Sequence, residues 1–234
     1  MTGEAQLERA ERYRFLPLIA GLFVSVLVVS NIVAVKPIGI GSLVVPAALI
    51  LFPISYILGD VLTEVYGYGQ ARRVIWIGFL GNLVAVGAIV VSGALPAASF
   101  WDDQAAYVQI LGASPRLLSA SFVAYLVGEF LNSYVLARLK VVSDGRHLWL
   151  RTIASTVVGQ AADSAIFISL AFVGVWAGDQ ILTAILSQWL IKVVYEALFT
   201  PATYAVTRAL KRVERVDHYD RHTCFAPIVR AAMR

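Results

Sequence analysis

QILTAILSQWLIKVVYEALFTPATYAVT, residues 180–207, is long and apolar enough to cross a bilayer, yet it carries Gln188, Lys192, Glu196 and Thr200 at intervals of four. About 20 apolar residues in a helix cross roughly 30 Å of hydrocarbon. A four-residue interval returns each polar side chain to the same helix face. A charge at the bilayer centre costs about 2.5–3.5 kcal/mol on insertion scales, so that face must turn toward protein or a wet interior and away from lipid. One segment therefore predicts the class: an all-α, polytopic membrane protein whose helices surround a polar interior.

The rest of the chain agrees. Of 234 residues, 59% are hydrophobic and 15% charged, with a mean hydropathy of +0.76. A soluble domain carries roughly 25% charged residues, and too few polar groups remain here to cover an aqueous surface. Further apolar segments lie at 15–35, 44–66, 72–95, 116–138 and 150–174. All must be helical, because lipid offers no partner to backbone N–H and C=O groups. The expectation is a six-helix transmembrane bundle over 15–207, preceded by a cytoplasmic segment 1–14 and followed by a basic cytoplasmic tail 208–234. The N-terminal residues mix acids and bases and do not read as a cleavable signal. Residues 96–115 are polar with Phe100, Trp101 and Tyr107, which suits a short interfacial helix.

Basic residues set the orientation. Sixteen of the nineteen Lys and Arg fall in the N-terminal segment, the second and fourth connections, or the tail; Lys36 and Arg116 lie on the other side and Lys192 within a span. The positive-inside rule then places both termini in the cytoplasm of a cell inner membrane. The same dispersal at helix ends argues against a nucleic-acid surface, so the expected surroundings are the lipid bilayer and no nucleic acid. Two three-helix halves would have opposite topology, and Gly59-Asp60 and Gly159-Gln160 are a weak echo between them, as in inverted repeats.

The candidate functional residues are those that do not belong in lipid: Asn31 in the first span, Tyr56, Asp60 and Glu64 in the second, Glu129 and Asn132 in the fourth, Gln160 and Asp163 in the fifth, and Lys192 and Glu196 in the sixth. Five acids face one intramembrane lysine. Hydrogen bonds between helices, worth about 0.6 kcal/mol each, need no such surplus. A shared cavity for a small polar solute explains it, with Asp163 or Glu129 as proton carriers and Lys192 bridging to Glu196 or to an acid opposite. Arg72 and Arg73 are the nearest candidates to neutralise Asp60 and Glu64.

Several chemistries are excluded. The chain has no Gly-x-x-x-x-Gly-Lys phosphate loop. Its histidines, His147, His218 and His222, all lie outside the spans, which removes intramembrane Ser/His catalysis and a buried zinc site. His218 and His222 could share a helix face around Asp220, but a solvated tail is the simpler reading. The single cysteine, Cys224, rules out an internal disulfide. Ile57 precedes Leu58-Gly59-Asp60 where intramembrane aspartyl proteases carry glycine. No enzyme, metal or cofactor is expected.

At the polar positions the sequence resembles the queuosine precursor transporter family. The resemblance rests on Ser30-Asn31; Phe52-Pro53 through Tyr56, Asp60 and Glu64 to Tyr66-Gly67 and Ala71-Arg72-Arg73; Gly128-Glu129 with Asn132-Ser133; Ala154-Ser155-Thr156 with Gly159-Gln160 and Asp163-Ser164; and Lys192 with Glu196 and Pro201. It implies an inner-membrane importer, facilitated or proton-coupled, of 7-deazaguanine bases such as 7-cyano-7-deazaguanine, 7-aminomethyl-7-deazaguanine or queuine. The alternative is a binding subunit like the S-components of ATP-driven energy-coupling-factor transporters. Those dock through an Ala-x-x-x-Ala face on helix 1; helix 1 here lacks that spacing, which occurs instead at positions such as Ala120/Ala124 and Ala161/Ala165. Small residues on the helices also suit packing between protomers, and a homodimer is expected.

Overall fold

In a computed structural model the structure describes residues 13–40, 43–112 and 115–228. The N-terminal segment's Arg9 and Arg12, and the tail's Arg230 and Arg234, lie outside them. The elements are α1 (Leu16–Val33), β1 (Pro37–Ile40), β2 (Leu43–Pro46), a 3-10 turn (Ala47–Ile50), α2 (Phe52–Tyr66), α3 (Tyr68–Ala94), α4 (Gln104–Leu111), α5 (Pro115–Val142), α6 (Leu148–Phe172) and α7 (Gly178–Glu214). Five stretches are long and apolar enough to cross a membrane: α1, α3, α6, α7 and the Gln104–Val142 stretch that holds α4 and α5. The chain is an all-α, multi-pass membrane protein.

The second segment departs from the sequence reading. A continuous helix is expected over 44–66, but its first part forms an antiparallel hairpin with β1, pairing Pro37 with Pro46, and then a 3-10 turn. An apolar run without periodicity does not distinguish strand from helix. Proline settles the boundary: Pro46 flanks the 3-10 turn in extended conformation, and Pro53 occupies the first turn of α2, where its missing N–H costs nothing. The 15 residues of α2 cover only about 22 Å. A helix so short survives because it is sheathed by protein: α2 packs against α1, α3, α5 and α7. Val61, Leu62 and Val65 are buried on it together with Asp60, Thr63 and Glu64.

Gly67 alone joins α2 to α3. Its φ of +82° suits glycine, and a side chain there would collide with the His218 ring. The deepest helix crossing is α5 on α6. A Cβ on Gly159 would stand 2.8 Å from the Gly128 carbonyl oxygen, and one on Gly128 would stand 2.8 Å from Asp163 Cβ. Small residues let these backbones touch.

The two ends of the bundle differ. At one end the start of α1 meets the end of α7, with the Phe15 N–H donating to Glu214 at 2.5 Å. The α2–α3 joint and the α5–α6 loop lie there too. After α7 the chain folds back as a strap over 215–228. His218 N–H donates to the Val65 carbonyl, Tyr68 N–H to Asp220, and Arg72 to the carbonyls of Cys224 and Ala226. Phe225 packs against Tyr68 and Tyr134. At the far end lie the hairpin, α4 and the start of α5, where Arg116 donates to the carbonyls of Leu170 and Val173. Hence α1 and α5 start at opposite ends of the bundle.

Candidate solute cavity and the charge clusters beneath it

Toward the far end, the helices line a partly open cavity of about 320 Å³. That is the lower part of the range of roughly 300–1,000 Å³ for small-molecule sites. Six sequence-selected residues line it: Asn31, Tyr56, Glu129, Gln160, Asp163 and Lys192. They come from α1, α2, α5, α6 and α7, so the cavity is a property of the whole bundle. Pro46, the last residue of the hairpin, and Ala48 just after it also contribute to its wall.

Two pairings organise the lining. Lys192 on α7 forms an ion pair with Asp163 on α6. Of the two partners open to the lysine in the sequence, the facing acid is therefore the one engaged. Asn31 donates through Nδ2 to Asn82 Oδ1 at 2.7 Å, tying α1 to α3. Glu129 enters from α5 with Tyr125 one turn before it, and the Tyr125 hydroxyl donates to the Ile75 carbonyl at 3.2 Å. Gln188 adds a buried amide oxygen with no hydrogen-bond donor. Phe122 and Phe167 add flat apolar faces. The cavity thus combines an acid, an acid–lysine pair, amides and aromatic rings, which is chemistry for a flat, polar, hydrogen-bonding solute.

The other four candidates stand elsewhere. Asp60, Asn132 and Glu196 form a separate buried group toward the strap end. Asn132 Nδ2 donates to Asp60 Oδ1 at 3.2 Å, and the Glu196 carboxyl lies within hydrogen-bonding reach of Asp60 and Thr156. Glu64 sits deeper still toward that end. Its Oε1 takes Arg151 at 2.8 Å and Lys211 at 2.6 Å, with Lys140 at 3.6 Å. The expected neutralisation by Arg72 and Arg73 does not occur. Arg72 binds the strap, and Arg73 reaches Gln70. The cations that do reach Glu64 come from α5, α6 and α7.

Asn82 is missed in the sequence reading although its signal is plain: an amide in the middle of an apolar span. Tyr125, Phe122 and Phe167 carry no such signal, because aromatic residues in a membrane helix are ordinarily packing. His218 stands 3.5 Å from Asp220 within the strap, and His222 is exposed. Among the described residues no group of three or more His, Cys, Asp or Glu is placed to hold a metal ion.

Comparison with known proteins bears on what the cavity serves. Residues 46–206 match the family model Vut_1, described as "Putative vitamin uptake transporter". A "Probable queuosine precursor transporter" of Bacillus subtilis (strain 168) is 32% identical over 202 residues, 83% of this chain and 87% of that protein. The "Queuosine precursor transporter" of Escherichia coli (strain K12) is 26% identical over 167 residues, 70% of this chain and 72% of that protein. A "Probable queuosine precursor transporter" of Haemophilus influenzae (strain ATCC 51907 / DSM 11121 / KW20 / Rd) is 27% identical over 121 residues, 52% of this chain and 49% of that protein. No solved structure matches the chain. These relatives are transporters and not enzymes, and this chain is not an enzyme either. With the family model spanning most of its length and the Bacillus protein aligned over nearly all of it, the chain belongs to the queuosine precursor transporter family.

Proposed function

We propose that the chain imports queuosine precursors, 7-deazaguanine bases such as 7-cyano-7-deazaguanine, 7-aminomethyl-7-deazaguanine or queuine, across a cell inner membrane. Both termini face the cytoplasm, so the strap end is the cytoplasmic end. The observation that carries this reading is the cavity joining Glu129, Gln160 and the Asp163–Lys192 pair in a chain of this family. A guanine-like edge offers a ring N–H and an amino group, and the Glu129 carboxylate can accept from both. The neighbouring carbonyl needs a donor, which Lys192 or Gln160 supplies. Tyr56, Phe122 or Phe167 can stack on the flat base, an interaction worth about 1–3 kcal/mol per base in nucleic-acid complexes.

Transport is facilitated or proton-coupled and needs no ATPase partner. The Ala-x-x-x-Ala spacing at Ala120/Ala124 is buried inside the bundle, and none falls on α1. The functional unit is a homodimer; a monomeric mass for active purified protein would contradict this.

The direct test is uptake of labelled 7-deazaguanine by cells unable to make it. Asp163→Asn and Glu129→Gln should each lower the initial rate by tenfold or more, the equivalent of about 1.4 kcal/mol or more. Normal uptake by both variants would remove the cavity as the solute site.

A further inference from the structure

Between the solute cavity and the Glu64 cluster, Asp60 and Glu196 bring two carboxyl groups within hydrogen-bonding reach of each other, each residue 1% exposed. Among the described residues Asp60 Oδ2 and Glu196 Oε1 receive no donor, and neither does Asn132 Oδ1, although the Asn132 amide is committed to this group through its Nδ2. Each of the three residues thus keeps one buried oxygen without a donor.

The surrounding charges do not repair this. On α7, Lys192 lies one turn before Glu196 but is paired with Asp163. On α6, Thr156 offers Glu196 a hydroxyl. Arg151 of that helix is taken by Glu64, as is Lys211 of α7. On α5, Glu129 adds a further acid near Asp60, and on α2 Glu64 adds another. α1 carries no charge, and the only charges of α3, Arg72 and Arg73, lie at its strap end. Two adjacent buried carboxylates cannot both stay ionised in such surroundings, as paired carboxyl groups elsewhere show.

We infer that Asp60 and Glu196, steered by Asn132, form a proton-binding centre distinct from the solute cavity, holding one proton shared between the two carboxyl groups. The proton supplies the missing hydrogen and cancels one charge. Its loss leaves two neighbouring carboxylates that repel, which favours separation of α2 from α7. The centre's role as the coupling site rests on the transport reading above; its capacity to hold a proton does not.

Infrared difference spectroscopy on the full chain in lipid nanodiscs, titrated between about pH 5 and about pH 9, reads this directly. The wild type should show a carboxylic-acid carbonyl band that titrates as a single proton. D60N and E196Q should each move its midpoint by about one pH unit or more, and the double variant should lose it. E129Q should keep the band. Both single replacements are nearly isosteric, and either one that folds decides the matter. A band unchanged in D60N and E196Q would overturn the proposal. A band bleached by sodium at constant pH would also overturn it, in favour of a metal-cation site. If the wild type takes up no labelled 7-cyano-7-deazaguanine, the transport reading fails while the band still decides the proton site.

Discussion

Glu64 carries more electrostatic weight than any other single residue described, because one carboxylate oxygen serves guanidinium and ammonium groups from three helices and the strap's Asp217 shares two of them. Removing one member of a buried ion cluster costs more than the cluster contributes, since the remaining charges stay buried without compensation. Arg151 and Lys140 are each 2% exposed and could not hydrate without unpacking the bundle. Glu64→Gln is therefore expected to destabilise the fold by about 3–5 kcal/mol. Thermal unfolding of purified protein should shift down by about 10 °C; an unchanged midpoint would contradict the cluster's structural role. At this scale the sequence showed which residues were out of place in lipid. It did not show that Glu64 sits in an ion cluster while Asp163 faces a cavity, since both are acids on apolar helices.

At the scale of elements, the α5–α6 crossing and the strap hold the site in shape. Gly159 touches the Gly128 carbonyl, and backbone atoms cannot yield as a flexible side chain can. Gly159→Val should push α6 off α5, cost about 1–3 kcal/mol, and carry Gln160 and Asp163 out of register with the cavity. Uptake should fall even where the protein still inserts, and normal uptake at normal expression would argue against the crossing as a determinant of the site.

The strap depends on two carboxylates outside the membrane. Burial pushes the Asp217 carboxyl up, but hydrogen bonds and charges from Lys140 and Lys211 outweigh it and hold the group below its ordinary range. Asp220 is likewise raised by burial and brought lower by His218, Thr223 and the Tyr68 N–H. A depressed carboxyl contributes stability above its unfolded pKa, about 3.9, and loses it as pH falls through the folded value. A spin label on Cys224 should thus stay restrained from neutral pH down to about pH 4 and become mobile only below it. Mobility gained near about pH 6.5 would instead point to histidine. The gap between the expected second span and the observed hairpin, 3-10 turn and short α2 also belongs to this scale. Hydropathy registers how apolar a stretch is, and a short helix buried in protein is as apolar as one bathed in lipid.

Across the whole molecule, charge and architecture agree on polarity. Arg72, Arg73, Lys140, Arg151 and Lys211 gather at the strap end with the chain's one cysteine, while Arg116 sits at the other. A membrane-impermeant maleimide should accordingly label exposed Cys224 readily in inverted vesicles and poorly in intact cells; the opposite pattern would reverse the proposed orientation.

Membrane class, the helical character of all spans but the start of the second, and the roster of misplaced polar residues apart from Asn82 were determined by sequence alone. Apolarity summed over a span length is a property of consecutive residues and needs no partner. The division of those polar residues into a candidate solute cavity, a carboxyl pair and an ion cluster was decided only by tertiary structure. Which acid meets which base depends on how each helix is rotated and how far it slides against its neighbours. Those two quantities are set by contacts such as Gly128 on Gly159 and the burial of α2 at the centre, between residues far apart in the chain.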